Sequence, residues 1–203
     1  MAKIALIGAS GNAGSRILKE LSDRGHAVTA IARHPERIAA LPGVTAVRGD
    51  ADDPAALAGL LGGHDAVVSA VHFTASDPRA LIEAVRAAGV PRYLVVGGAG
   101  SLEVAPGQRL LDSPDFPAAY KPEATAGAAF LDLLRGVEDI DWTFLSPSAA
   151  FVPGARTGRF RLGGDALLST PEGSSISFED FAVALVDEIE KPAHPRQRFT
   201  VGY

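Results

Sequence analysis

Apolar positions along this chain fall into short continuous runs separated by stretches with helical spacing. Ile4-Ala5-Leu6-Ile7 is the first run, and an unbroken run of that length reads as a strand covered on both faces. It gives way to Gly8, Gly11 and Gly14. Ile17, Leu18 and Leu21 then recur at helix spacing, with Lys19, Glu20, Asp23 and Arg24 on the other faces and Gly25 closing the segment. The alternation repeats. Ala27–Ala32 predicts a second strand, residues 35–40 a short helix, Val44–Val47 a third strand, and Leu57, Leu60 and Leu61 a helix face stopped by Gly62-Gly63. Asp53-Pro54 and Asp77-Pro78 read as helix entries, with the carboxylate as N-cap and proline at the first helical position. Further strands are expected at Asp65–Val71, Pro91–Val96, Asp141–Ser146 and Arg198–Tyr203, and helices at 77–89, 120–136 and from Ser177 onward. Ser177 with Asp180 three residues on is a variant of the capping box.

Strands and helices in this alternation predict an α/β fold, a doubly wound parallel sheet whose ligands bind outside the strand C-termini at the topological switch point. Two stretches break the rhythm. Residues 102–120, rich in Pro, Gly, Asp and Ser, read as a loop over a substrate, and residues 148–176 as a small C-terminal substrate-side flap of short strands.

Length and composition narrow the classes. At 203 residues the chain suits one domain spanning 1–203. The net charge of −5, with Lys and Arg dispersed, argues against a nucleic-acid partner. The absence of Cys excludes a disulfide framework, a thiolate nucleophile and a Cys-bound zinc, and fits a reducing cytoplasm. A first strand by residue 3 leaves no room for a signal peptide, and no apolar run approaches membrane-spanning length, so a cytoplasmic location without membrane attachment is expected. No metal site is expected.

The glycine turn carries the first chemistry. Gly8 supplies a positive φ at the strand exit, Gly11 lets a pyrophosphate approach the backbone, and Gly14 lets the helix pack closely on the strand. Ser10, Asn12 and Ala13 complete the turn at a helix N-terminus, which favours phosphate. The spacing is G-x-x-G-x-x-G rather than the familiar G-x-G-x-x-G. Arg33 ends the second strand, where a cation accommodates the 2′-phosphate of NADP and an acid would bond the 2′-OH of NAD; its bland reading is a cation on a solvated loop. Asp50, beside Ala51, ends the third strand, where a carboxylate can accept from an adenine amino group. Small groups at the ends of the fourth and fifth strands, Ser69, Ala70 and Val71, then Gly97 and Gly98, leave room for the ribose and nicotinamide, with Pro147 and Ser148 after the sixth. His72 reads as a loop residue, and Phe151 as either an apolar wall or a core side chain.

The glycine turn Gly8–Gly14, Arg33, Gly49-Asp50, Gly97–Ser101, Lys121 and Ser146-Pro147 together resemble an atypical short-chain dehydrogenase/reductase. Within that superfamily the chain is most similar to NAD(P)H-binding proteins of the NADH-flavin reductase kind, near the biliverdin reductase B and NmrA-like groups. The likeness covers almost the whole chain and is most specific at Gly97–Leu102, Tyr120–Glu123 and Arg196–Tyr203. It implies a Rossmann fold, an NAD(P)H cofactor and candidate catalytic residues Lys121 and Tyr120. Arg33 favours NADPH, with NAD as the alternative, and Ser101 is the third catalytic candidate, either a side-chain donor to an acceptor oxygen or a cap of the turn it sits in. One departure matters. The superfamily relay is Tyr-x-x-x-Lys, whereas Tyr120 is followed four residues on by Ala124. Tyr120 and the adjacent Lys121 would point about 100° apart on a helix, which leaves Lys121 as a ribose contact and Tyr120 more as packing than as general acid. Hydride transfer to a flavin, quinone or similar conjugated acceptor survives that loss. The other implied functions are a non-catalytic NADP(H) sensor of the NmrA type and an epimerase/dehydratase-like protein. A small-molecule acceptor is the expected partner, and the state a monomer or homodimer.

Overall fold

The computed structural model describes residues 1–203. In chain order the elements are β1 (Lys3–Ile7), α1 (Asn12–Asp23), β2 (Ala27–Ala32), β3 (Val44–Arg48), α2 (Pro54–Leu61), β4 (Ala66–Ser69), α3 (Pro78–Ala87), β5 (Arg92–Val96), β6 (Glu103–Ala105), β7 (Gln108–Arg109), α4 (Lys121–Arg135), β8 (Asp141–Pro147), β9 (Ala150–Val152), β10 (Arg161–Gly163), β11 (Ser175–Ser177), α5 (Phe178–Glu190) and β12 (Gln197–Gly202). Eight strands form one sheet in the order β3-β2-β1-β4-β5-β8-β12-β10. Neighbours run parallel throughout except β10, which is antiparallel to β12.

Alternate residues of each strand serve opposite layers. Ile4 and Leu6 of β1 pack with α1 and α5 residues such as Leu21, Phe181 and Leu185. Ala5 and Ile7 pack with Leu57 of α2, Leu81 of α3 and Leu134 of α4. A strand buried on both sides has no polar face to show, which is why these strands read as unbroken apolar runs. The chain turns from β1 outward through β2 and β3, then crosses back to β4 on the other side of β1. The crevice between the ends of β1 and β4 is therefore the switch point. No helix is long and apolar enough to cross a membrane.

The helix entries follow their side chains. Asp53 accepts from the Ala56 N–H at 3.1 Å, Asp77 from the Arg79 N–H at 2.8 Å, and the Ser177 hydroxyl from the Asp180 N–H at 3.0 Å. The capping box is only half made. The Asp180 carboxylate turns away to the N–H groups of Thr157 and Gly158 (2.8 and 2.7 Å), the Thr157 hydroxyl (2.6 Å) and the Tyr203 phenol (2.8 Å). A buried carboxylate with four donors in reach has no reason to return to its own helix end.

Three other expectations are corrected. The helix expected at 35–40 is a single 3₁₀ turn, Pro35–Arg37, because Ile38 is extended and packs with Leu41 against the core. The fourth strand stops at Ser69, two residues early, where the chain is drawn off toward α4. The flap is not confined to the substrate side. Its β10 joins the main sheet and covers the edge that β12 would otherwise expose, while residues 154–158 lie against α5 through Asp180 and Glu179.

Candidate cofactor and acceptor cleft

The site begins with the turn between β1 and α1. Gly8 has φ +82°, and a Cβ there would collide with the Ala70 carbonyl oxygen; at Gly14 it would collide with the Gly8 carbonyl oxygen. The turn thus needs glycine at both positions, Gly14 in the packing role its spacing implies. Gly11 differs. A Cβ there would sit 3.3 Å from the Gly8 carbonyl oxygen, close but without collision, so its bareness serves the open side. Gly11 is also the N-cap of α1, and no side chain caps that helix, which leaves its first N–H groups directed outward.

From this turn a cleft of about 780 Å³ runs along the C-terminal edge of the sheet. Strand order divides it. Arg33, Gly49, Asp50 and Ala51 line the β2–β3 end, Gly8, Ser10, Gly11, Asn12, Ala13, Ala70 and Val71 the middle, and Gly97, Gly98, Ser101, Pro147 and Ser148 the β5–β8 end. Arg33 is exposed, with no carboxylate paired to it. Asp50 accepts one bond, from the Asp52 N–H at 3.2 Å, which orients its carboxylate at the rim.

Besides Gly14, which packs against the turn, two expected residues do not border the cleft. Ser69 is 2% exposed, and its hydroxyl pairs with the buried Tyr93 phenol at 2.9 Å, satisfying a polar pair beneath the sheet edge; burial pushes the Tyr93 phenol up. Lys121 is the first residue of α4, exposed and outside the cleft, where its charge helps hold the Asp112 carboxyl down, behind the larger effect of the Arg109 hydrogen bond. Tyr120 does line the cleft mouth, 67% exposed. The neighbours on the chain have parted, as their spacing requires.

Two residues given no role of their own in the sequence reading shape the site. Glu123, in the first turn of α4, accepts from the N–H groups of Phe73 and Thr74 (2.8 and 3.0 Å) and the Thr74 hydroxyl (2.6 Å). Burial pushes its carboxyl up, but these donors outweigh burial and hold it below its ordinary value. This clamp pulls residues 72–75 off the sheet and seats Phe73 over Gly98 and Gly127, stacked on Phe144 at 6.1 Å. The second is Arg198 of β12. Its side chain is 3% exposed, held by Asp165 at 2.7 Å, and its Nη1 lies 3.4 Å from the Ser101 hydroxyl. Arginine only donates, so Ser101 accepts and its own proton is left for the cleft. No local pairing announces either role, although both residues fall in stretches where the family likeness is most specific: Glu123 meets Phe73 and Thr74 from about fifty residues away, and Arg198 meets Asp165 from 33 and Ser101 from 97.

Five aromatic side chains line the cleft: Phe73 beside Gly98, Phe116, Tyr120, Phe151 of β9 and Phe178 at the start of α5. Phe151 does both jobs open to it, packing on Phe178 and Phe181 with ring centroids 4.5 and 4.7 Å away while bordering the cleft.

A family model described as NAD(P)H-binding matches residues 8–192. The chain belongs to the NAD(P)H-binding family. Three solved structures are similar over the whole chain: a proposed exported protein from Burkholderia pseudomallei (47% identical, TM-score 0.91, 100% of each chain), a proposed epimerase from Bacteroides thetaiotaomicron (43%, 0.95, 97% of that chain), and a proposed NADH-flavin reductase from Streptococcus pneumoniae (39%, 0.84, 99% of that chain). For this NAD(P)H-binding protein the bare glycine turn and uncapped helix end fit a dinucleotide pyrophosphate, since side chains at Gly8 and Gly14 would occupy backbone and none intrudes at Gly11.

Proposed function

We propose that this protein is a reductase that passes a hydride from NADPH to a flat conjugated acceptor such as a flavin or a quinone. The observation that carries the reading is the cleft's lining, which includes five aromatic rings and Ser101 while Lys121 stands outside and no Tyr-Lys pair forms. The bound dinucleotide supplies the hydride through its nicotinamide ring. Arg33 reads the 2′-phosphate and Asp50 the adenine amino group, while the N–H groups at Gly11–Ala13 hold the pyrophosphate. Ala70, Gly97 and Gly98 keep side chains off the nicotinamide floor. The aromatic walls hold a planar acceptor against that ring, and close apposition then supplies most of the rate. Ser101, already accepting from Arg198, directs its proton at an acceptor oxygen or nitrogen and stands in for the missing relay. The Streptococcus pneumoniae relative's name, a proposed NADH-flavin reductase, supports the flavin-reductase part of this reading, and Arg33 supports NADPH as the donor.

Purified protein should oxidise NADPH when given a flavin or a quinone, followed at the nicotinamide absorbance band. Ser101→Ala should slow that oxidation by about 10²-fold, the low end of general-acid contributions. Tight NADPH binding with no oxidation across flavins, quinones and dicarbonyls would replace the reductase by a redox sensor.

A further inference from the structure

Charge is spread unevenly along the cleft, and the geometry points to an acceptor without negative charge: a flavin nucleoside or a quinone rather than a flavin phosphate or a carboxylated ring. This rests on the reductase reading and names its second substrate. Of the 38 residues lining the cleft, Arg33 is the single lysine or arginine. It stands at the end of β2, with β1 and β4 between it and the end of β5 where Ser101 begins the acceptor wall.

At the acceptor end the charged lining residues are Asp115 and Glu123. Glu123 stays ionised, because the backbone and hydroxyl donors that anchor it favour the charged form over the effect of its burial. Asp115 is exposed, and no cation pairs with it. The cations around this end are held by other groups or stand outside the cleft, among them Arg16, which lies 5.6 Å from the Phe178 ring centroid and bonds Glu179 at 3.1 Å. Arg109 grips Asp112 at 2.8 Å, Lys121 lies outside the cleft, and Arg198 is buried behind Ser101 with its guanidinium held by Asp165. His72 bonds the same Glu123 carboxylate, at 3.3 Å.

An anionic substituent brought against Asp115 and Glu123 would shed water and meet like charge with no donor cation to offset it. A neutral ring entering the same space trades water for the aromatic walls. The rest of the cleft differs, with an open helix N-terminus in the middle and, at the β2–β3 end, an unpaired guanidinium beside a single carboxylate, Asp50. The groups that favour phosphate therefore lie away from the acceptor end, whose charged lining is two carboxylates.

Riboflavin and FMN carry the same isoalloxazine ring and differ by one phosphate, so they isolate the charge. With saturating NADPH, at low ionic strength and about pH 8, above the ordinary histidine range, riboflavin should be reduced with a kcat/KM about tenfold higher than FMN, the order expected from one like-charge pair in a partly dry cleft. Added salt should shrink the ratio toward unity. Asp115→Lys should narrow or invert it, and Glu83→Gln, which removes an exposed carboxylate of α3 outside the cleft and in no ion pair, should leave it in place. Equal kcat/KM for the two flavins at low salt, or a ratio that Asp115→Lys does not move, would overturn the charge selection and leave the reductase reading standing. If NADPH binds but neither flavin nor any uncharged quinone is reduced, the reductase reading itself fails and this inference falls with it.

Discussion

The two ends of α1 obey opposite rules. At its N-terminus no side chain caps the helix, and Ser10 and Arg33 line open space without a hydrogen-bond partner. Around its C-terminus every charge is matched. Arg24 bonds Glu20 at 2.7 Å, Asp187 at 2.7 Å and Glu190 at 2.9 Å, Glu20 takes two further 2.7 Å bonds from Arg156, and Glu190 also meets His26 at 3.0 Å. Both ends are polar, so polarity alone does not mark a site. What separates them is whether the protein satisfies its own groups: matched charges lock α1 to α5 and the flap, and unmatched donors await a ligand.

Substitutions at the two ends should therefore affect different measurements. The largest effect is expected at Gly11→Val, where a branched side chain would project into the pyrophosphate path; NADPH affinity should fall by about 10²-fold or more, the loss of two charge-assisted hydrogen bonds, with little change in melting temperature. Undiminished affinity would move the phosphate site away from this turn. Glu20→Ala at the other end should do the reverse, costing about 2–3 kcal/mol of stability, below the range for fully buried pairs because Arg156 is half exposed, and leaving NADPH affinity alone. The sign of its pH dependence follows. The Arg156 hydrogen bond, outweighing burial and joined by Arg24, holds the Glu20 carboxyl below its ordinary 4.5. Its contribution is therefore complete above that value and lost as pH falls through the lower folded one. Acid melts in which wild type and Glu20→Ala lose stability in parallel would show that the network contributes nothing.

Arg33→Ala ranks next. A guanidinium–phosphate contact of about 1.5–3 kcal/mol corresponds to a 10- to 100-fold preference for NADPH, so the variant should bind NADPH and NADH almost equally while NADH affinity changes little. Equal losses for both dinucleotides would return Arg33 to the solvated loop. The smallest effects belong to Tyr120→Phe and Lys121→Ala. With Lys121 outside the cleft and Tyr120 unpaired at its mouth, each should change turnover by less than about threefold; a drop of 10² or more at Tyr120→Phe, within the general-acid range, would restore it as the proton donor.

Read from the residues, the β-α alternation and the glycine turn placed the cleft at the strand ends. Arg33, Asp50, Ala70, Gly97 and Ser101 all lie along it. Ser69 and Lys121 went astray for one reason. Each sits one residue from a cleft-lining neighbour, Ala70 or Tyr120, and a step of one residue turns a side chain to the other face of a strand or by about 100° around a helix.

Periodicity and glycine spacing are local properties, and they were sufficient on their own to determine the layered α/β architecture, the bare glycine turn at the end of β1 and the cation at the end of β2. Pairings across long stretches of chain needed the folded structure. Glu123 clamps Phe73 and Thr74 from about fifty residues away, Arg198 reaches Ser101 across 97, and β10 leaves the flap to close the sheet edge. A carboxylate or a guanidinium looks the same in sequence whether it will be solvated, buried against a donor or turned into a cleft. Only packing decides which partner arrives, because desolvation makes a buried charge find one and leaves an exposed charge such as Asp115 free.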